Sequence, residues 1–165
     1  MLRRQGCVEI SEQQVTMTTI ACNHDSMSAD SQSTNDSYST PTRKIFKTSK
    51  YIIGFAGDET AGAKFVSWFN NKDNDKPDIN EFEAIVLYPD GKMEYWDDNM
   101  FPVPILAKYY AIGSGATVAL GALYHGHTTH EALLAAKEHD TGTGGKIETK
   151  SFRKVKKRQD NDKQA

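Results

Sequence analysis

Two adjacent threonines, Thr18 and Thr19, open an apolar run through Ile20-Ala21-Cys22, and a carboxylate, Asp30, follows the turn at His24-Asp25-Ser26. A threonine hydroxyl is a weak nucleophile at neutral pH until a base takes its proton. A chain that begins at Thr18 carries hydroxyl and free α-amine on one residue. That amine has an ordinary pKa of about 8 and can be the base. The turn returns the chain, so Asp30 arrives near where the run began. Thr18 is then a nucleophile that carries its own base.

Further along, short blocks place polar residues and glycines at strand ends and turns. Lys44 sits in Arg43-Lys44-Ile45, Gly57 ends the apolar run Ile52-Ile53-Gly54-Phe55-Ala56, and Ser114 lies in Gly113-Ser114-Gly115. Asp140 and Thr143 share the turn Asp140-Thr141-Gly142-Thr143-Gly144-Gly145. Each also has a plainer reading. Thr18 serves as an ordinary strand residue, Asp30 as a turn former and Lys44 as a solvated strand lysine. Gly57 serves as a strand-to-helix turn, and Ser114 as the cap of the helix that follows.

The elements that must position these groups follow from periodicity and turn chemistry. Residues 18–30 read as a hairpin and 31–42 as a polar loop rich in Ser, Thr, Asn and Asp. Residues 43–47 and 51–56 are short strands. Ala61, Phe65, Trp68 and Phe69 fall on one face of a helix over 59–69. Residues 84–88 and 93–96 form a hairpin around Asp90-Gly91, a pair suited to a type I′ turn. Residues 97–104 read as a loop and 108–112 as a strand. A small-residue helix spans 116–124, and Thr128-Thr129-His130-Glu131 has capping-box spacing at the head of another. Residues 147–152 make a last strand. Antiparallel hairpins with helices gathered between them predict an α+β layered sandwich.

Composition bounds the rest. The 165 residues suit one domain, the net charge of −2 is ordinary, and no apolar run approaches the ~20 residues of a membrane-spanning helix. Cys7 and Cys22 make no disulfide framework, so a reducing cytoplasm is the expected setting. Residues 1–17 are polar and aperiodic and read as a propeptide or upstream extension. Residues 18–152 read as the domain, and 153–165 as a basic tail.

On these blocks the chain resembles proteasome-type N-terminal-nucleophile hydrolases, and among them the HslV peptidases. Met17-Thr18-Thr19-Ile20 is similar to the family's processed start, and Ala29-Asp30-Ser31-Gln32-Ser33-Thr34 to its acidic second strand. Arg43-Lys44-Ile45 resembles its lysine block, Gly54-Phe55-Ala56-Gly57 its glycine strand-end, and Ala111-Ile112-Gly113-Ser114-Gly115 its serine turn. The Asp140–Gly145 turn is similar to the family's Asp-x-x-Ser-Gly-Gly. The six blocks occur in family order.

The resemblance implies a four-layer αββα sandwich of two antiparallel sheets between helix layers. It implies a threonine endopeptidase with Thr18 as nucleophile, its own amine as base and no cofactor. Lys44 is then the cation, and Asp30 holds Lys44 and Thr18. The Gly57 N–H is the oxyanion donor, while Ser114, Asp140 and Thr143 position the amine and a water. The implied partners are a peptide or unfolded protein substrate, further copies of the chain in a homo-oligomeric ring, and an ATPase unfoldase cap. The chain departs from the family between Gly57 and Ile85, where it has room for one helix instead of two. Asp58 also replaces a second glycine. These departures motivate the alternative of a catalytically inactive protein with this fold, acting as a structural or interaction module.

Three other clusters carry less. His125, His127 and His130 lack a cysteine or carboxylate at ligand spacing and read as solvated loop histidines instead of a metal site. Asp140-Thr141-Gly142 matches the aspartic-protease triplet, but that chemistry needs two such carboxylates. The basic tail is followed by Asp160 and Asp162 and has few aromatics, so a solvated tail is favoured over nucleic-acid binding.

Overall fold

A computed structural model describes residues 17–35, 38–72 and 74–152. The chain runs β1 (Thr19–Asn23), β2 (Ser26–Ala29), β3 (Gln32–Asn35), β4 (Tyr38–Pro41), β5 (Ile45–Lys47), β6 (Ile52–Gly57) and α1 (Glu59–Asn70). It continues with β7 (Phe82–Leu87), β8 (Met93–Asp97), β9 (Val103–Ile105), β10 (Tyr109–Gly113), α2 (Ala116–Tyr124), α3 (Thr129–His139) and β11 (Glu148–Ser151). One sheet has the order β10-β1-β2-β11 and another β5-β6-β7-β8-β9, each antiparallel throughout.

The layers follow from which face each side chain takes, since neighbouring residues of a strand point to opposite sides. On β1, Ile20 and Cys22 pack between the two sheets, while Ala21 packs against Ala119, Leu123, Ala132 and Leu133 of α2 and α3. On β6, Ile52 and Ala56 face the other sheet, and Ile53 and Phe55 face α1. The stack is therefore α1, five strands, four strands, then α2 with α3: the αββα sandwich that the resemblance implies. A strand buried on both faces has no polar side to spare, which is why β1 reads as a continuous apolar run.

Local chemistry sets the boundaries. Asn23 Oδ1 accepts the N–H groups of Asp25 and Ser26, each at 2.9 Å, which makes the tight β1–β2 turn. Asp58 caps α1 by accepting the Ala61 N–H at 2.8 Å. The predicted stripe of α1 is buried, and Phe65 is packed by Trp68, Phe69, Phe82 and Trp96. Burying such a side chain stabilises by roughly 1.5–3 kcal/mol. The predicted capping box of α3 is present, with Thr128 and Glu131 each accepting the other's backbone N–H.

Three expectations are corrected. The polar stretch 31–42 contains an exposed hairpin, β3 against β4; its Ser and Thr residues have strand geometry without forming a core. Residues 97–104 include the start of β9, which extends the sheet as an edge. The β7–β8 turn is not type I′, because Gly91 has φ +90° but Asp90 is not among the non-glycine residues with positive φ. The Gly91 N–H donates to the Tyr88 carbonyl, and the Tyr88 N–H to the Lys92 carbonyl. Pro89 holds φ near about −65°, which rules out I′ and suits an ordinary turn followed by a left-handed glycine.

Candidate active site

The site is built on a buried ion pair. Asp30 follows β2 and Lys44 precedes β5, so the pair bridges the two sheets at one end of the sandwich. The Lys44 ammonium lies 3.1 and 3.2 Å from the two Asp30 oxygens and also donates to the Gln32 carbonyl. Its fourth partner is the Met17 carbonyl, at 3.4 Å, which belongs to the peptide bond that precedes Thr18. Asp30 further accepts the N–H groups of Thr19 (3.0 Å), Gly144 (3.1 Å) and Gln32 (3.3 Å). A carboxylate this deeply buried is tolerated because charge and donors surround it. Burial pulls the Lys44 ammonium below the ordinary lysine range, against the attraction of Asp30 and Glu59.

The two threonines have different employment. The Thr19 hydroxyl accepts the Gly115 N–H at 2.9 Å and lies 2.6 Å from the Thr143 hydroxyl. Thr143 donates its single proton to Asp140, at 2.6 Å. Each hydroxyl has one proton, so Thr19 must donate to Thr143. The chain of donors therefore runs Gly115 to Thr19 to Thr143 to Asp140, and the Thr19 hydroxyl is fully engaged. Thr18 is buried, yet its hydroxyl makes no hydrogen bond among the described residues.

Ser114 joins the two halves. Its N–H donates to the Thr18 carbonyl at 2.8 Å and its hydroxyl to Asp140 at 2.7 Å. The plainer reading of Ser114 as a helix cap does not hold: Gly115 is the N-cap of α2, and no side chain caps that helix. Partial burial raises the Asp140 carboxyl, but the Thr143 and Ser114 hydroxyls and the Gly142 N–H together outweigh it and hold the group below its usual range.

Gly57 ends β6 with φ +109°, and a Cβ there would stand 2.0 Å from the Glu81 carbonyl oxygen. The Asp58 N–H donates to Glu81, so the alternating ladder turns the Gly57 N–H to the opposite edge of β6. On that edge the Phe55 N–H donates to the Lys44 carbonyl, and the β5 pairing has ended at Ile45↔Gly54. The Gly57 N–H thus lies two residues beyond Lys44's partner, on the edge that β5 leaves. Gly57 and Ser114 line one cavity of about 350 Å³ with Glu81, Glu83, Tyr95 and Asp97.

The structure therefore brings together the seven residues singled out in the sequence. Thr18, Asp30 and Lys44 meet at the Met17–Thr18 peptide; Ser114, Asp140 and Thr143 form a second cluster tied to it through the Thr18 carbonyl and Thr19. Gly57 shares a cavity wall with Ser114. The sequence reading did not give roles to Thr19, the Gln32 carbonyl or the Gly144 N–H. Thr19 was signalled by its place beside Thr18, and Gly144 by the Asp140–Gly145 turn. Asp58, which stands where the family has a second glycine, directs its carboxylate to the α1 cap. His127 pairs with Glu131 at 3.4 Å, and His130 lies 3.3 Å from Thr149.

No protein-family profile and no curated protein matches the chain. Solved structures do. HslV from Trypanosoma brucei is similar with a TM-score of 0.66 and 19% identity, over 81% of this chain and 98% of that one. BPH of Thiobacillus denitrificans in complex with epoxomicin is similar with a TM-score of 0.63 and 14% identity, over 81% of this chain and 96% of that one. BPH alone gives 0.57. The chain has the fold of these proteins, an αββα sandwich.

Proposed function

We propose that the protein is a threonine endopeptidase with Thr18 as its N-terminal nucleophile. The observation that carries this reading is the position of the Lys44 ammonium, held by Asp30 and in contact with the Met17 carbonyl. Cleavage of the Met17–Thr18 bond leaves a free amine beside that cation, next to the one threonine hydroxyl the network leaves unused. A nearby cation favours the neutral amine, the form that accepts a proton.

In the proposed reaction the amine takes the proton from Thr18 Oγ1 as that oxygen attacks the scissile carbonyl carbon. The carbonyl oxygen gains the negative charge and accepts the Gly57 N–H. A donor in this role contributes about 3–4 kcal/mol where one has been removed elsewhere. The C–N bond breaks as the Thr18 ammonium returns its proton to the leaving amine, which leaves an ester on Oγ1. Water, activated by the same amine, hydrolyses the ester and restores the hydroxyl. Ser114, Asp140 and Thr143 fix the Thr18 end and the water. No cofactor enters the scheme.

The likeness to HslV, spanning nearly all of that chain, supports a peptide or unfolded-protein substrate and a homo-oligomeric ring with the nucleophile facing inward. An ATPase unfoldase partner and a cytoplasmic setting belong to the same proposal. Among the described residues no helix is long and apolar enough to cross a membrane.

The test begins with the intact mass and N-terminal sequence of the protein purified from cells, beside a Thr18→Ala variant. The native protein is expected to begin at Thr18, turn over peptides and gain the mass of epoxomicin on Thr18; Thr18→Ala is expected to show neither turnover nor the adduct. A native protein with a free Thr18 amine that neither cleaves peptides nor takes the inhibitor overturns the reading.

A further inference from the structure

We propose that Glu83 is a positioning residue of the candidate site, acting from the five-stranded sheet on the turn that carries Ser114. The inference rests on the threonine-hydrolase reading above. Glu83 belongs to β7, whereas Gly113 is the last residue of β10 in the other sheet. The Gly113 N–H donates to Glu83 Oε1 at 3.0 Å, a hydrogen bond from one sheet to the other.

The topology explains why this contact matters. β10 is an edge strand, with β1 on one side only. The Ser114 N–H donates to the Thr18 carbonyl, so the preceding N–H, that of Gly113, points away from β1 to the unpaired edge. No strand among the described residues accepts it there, and Glu83 does so with a carboxyl oxygen. The position requires glycine, since its φ is +92° and a Cβ on it would stand 1.8 Å from the Thr18 carbonyl oxygen, and a glycine's own backbone does little to fix it. Glu83 therefore grips the residue between the β10 strand and Ser114, and Ser114 in turn grips Thr18.

Glu83 is itself held. The Tyr95 hydroxyl donates to Oε2 at 3.3 Å, and the Tyr95 ring meets Tyr110 of β10 edge to face at 6.1 Å. Burial first, and then the adjacent Glu83, raise the Tyr95 phenol to about 12, so it stays a donor at all working pH values. Glu83 and Tyr95 also line the cavity that Gly57 and Ser114 share. A change at Glu83 thus reaches the Thr18 carbonyl through two hydrogen bonds, without touching the nucleophile.

The test uses protein that begins at Thr18, in native form and as Glu83→Ala, Glu83→Gln and Tyr95→Phe. The amide of Gln keeps an oxygen for the Gly113 N–H, while Ala removes it. Glu83→Ala is expected to lower kcat by about tenfold or more with KM within about twofold, because misplacement of a reacting group is a rate effect. Glu83→Gln is expected to restore kcat to within about threefold of native, and Tyr95→Phe to fall between. Exchange of the Gly113 amide, followed by NMR, is expected to speed up in the Ala variant and not in the Gln variant. If Glu83→Ala does not fold, Glu83→Met fills the volume without an acceptor and carries the same expectation. An active native protein whose folded Ala or Met variant keeps kcat within about twofold overturns the inference alone, as does a Gln variant as slow as Ala. A native protein with no turnover overturns the hydrolase reading and this inference with it.

Discussion

The Lys44 ammonium stands 3.1 Å from Asp30 Oδ1 and 3.4 Å from the Met17 carbonyl, so one buried cation serves both an ion pair and the peptide bond ahead of Thr18. Removing either partner leaves a buried charge without compensation. Asp30→Asn and Lys44→Met are each expected to destabilise by about 3–5 kcal/mol, read from denaturant midpoints. The double variant is expected to lose less than the sum, because the second change removes the charge that the first left stranded.

Thr18 and Thr19 are expected to separate chemistry from stability. Thr18→Ser keeps an oxygen nucleophile and retains peptide turnover, whereas Thr18→Ala abolishes it with little change in melting temperature. Thr19→Val removes the hydroxyl that accepts from Gly115 and donates to Thr143. It is expected to cost about 1–3 kcal/mol, since it strands buried polar groups. Thermal melts beside turnover assays check both.

The depressed Asp140 carboxyl gives a pH dependence with a definite sign. Its folded value lies below its unfolded one, so the ionised group contributes stability that is fully present above about pH 4. That contribution is lost as pH falls through the folded value. The native melting temperature is therefore expected to drop more steeply below about pH 4 than that of Asp140→Asn. Parallel curves would remove Asp140 from the network's energetics.

Gly57 and Gly113 hold backbone conformations that a side chain resists, with φ +109° and +92°. Gly57→Ala and Gly113→Ala are each expected to destabilise by more than about 1 kcal/mol, because the added Cβ meets a carbonyl oxygen as well as unfavourable dihedrals. Gly121→Ala, at a helical glycine whose Cβ would meet nothing within 4 Å, is the control and is expected to stabilise slightly.

Cys22 is fully buried, and desolvation drives its thiol pKa far up. Protein beginning at Thr18 is expected to take no thiol reagent when folded and one equivalent when denatured, as mass spectrometry would report. Labelling of the folded protein would mean that the interface between the two sheets opens.

Much of this was legible because the signals were local. The α1 stripe, the α3 capping box and the β7–β8 hairpin each follow from residues within a dozen positions of one another. The order of the site blocks was legible too, through a resemblance spread along the chain. What was hidden depended on contacts between distant segments or on one dihedral. Glu83 falls just ahead of the strand read over 84–88, and only the packing of the sheets brings it to Gly113. Pro89 overrides the preference of Asp90-Gly91 because its ring fixes φ. Ser114 reads as a helix cap until Asp140 arrives from 26 residues away to take its hydroxyl.

Asp30 accepts N–H groups from Thr19, Gln32 and Gly144, the last of them 114 positions further along the chain. A closure between such distant residues costs loop entropy before its contacts form and belongs among the slower events of folding. The carboxylate is thus a clock as well as an anchor. Until residue 144 has been synthesised and docked, the Asp30 cradle lacks one of its walls, and the lysine it steers has no fixed aim. A nascent or half-folded chain has Thr18 in its sequence but not the surroundings that the proposed chemistry needs. On the proposed function, the order of assembly keeps the nucleophile unaimed until the chain has closed on itself.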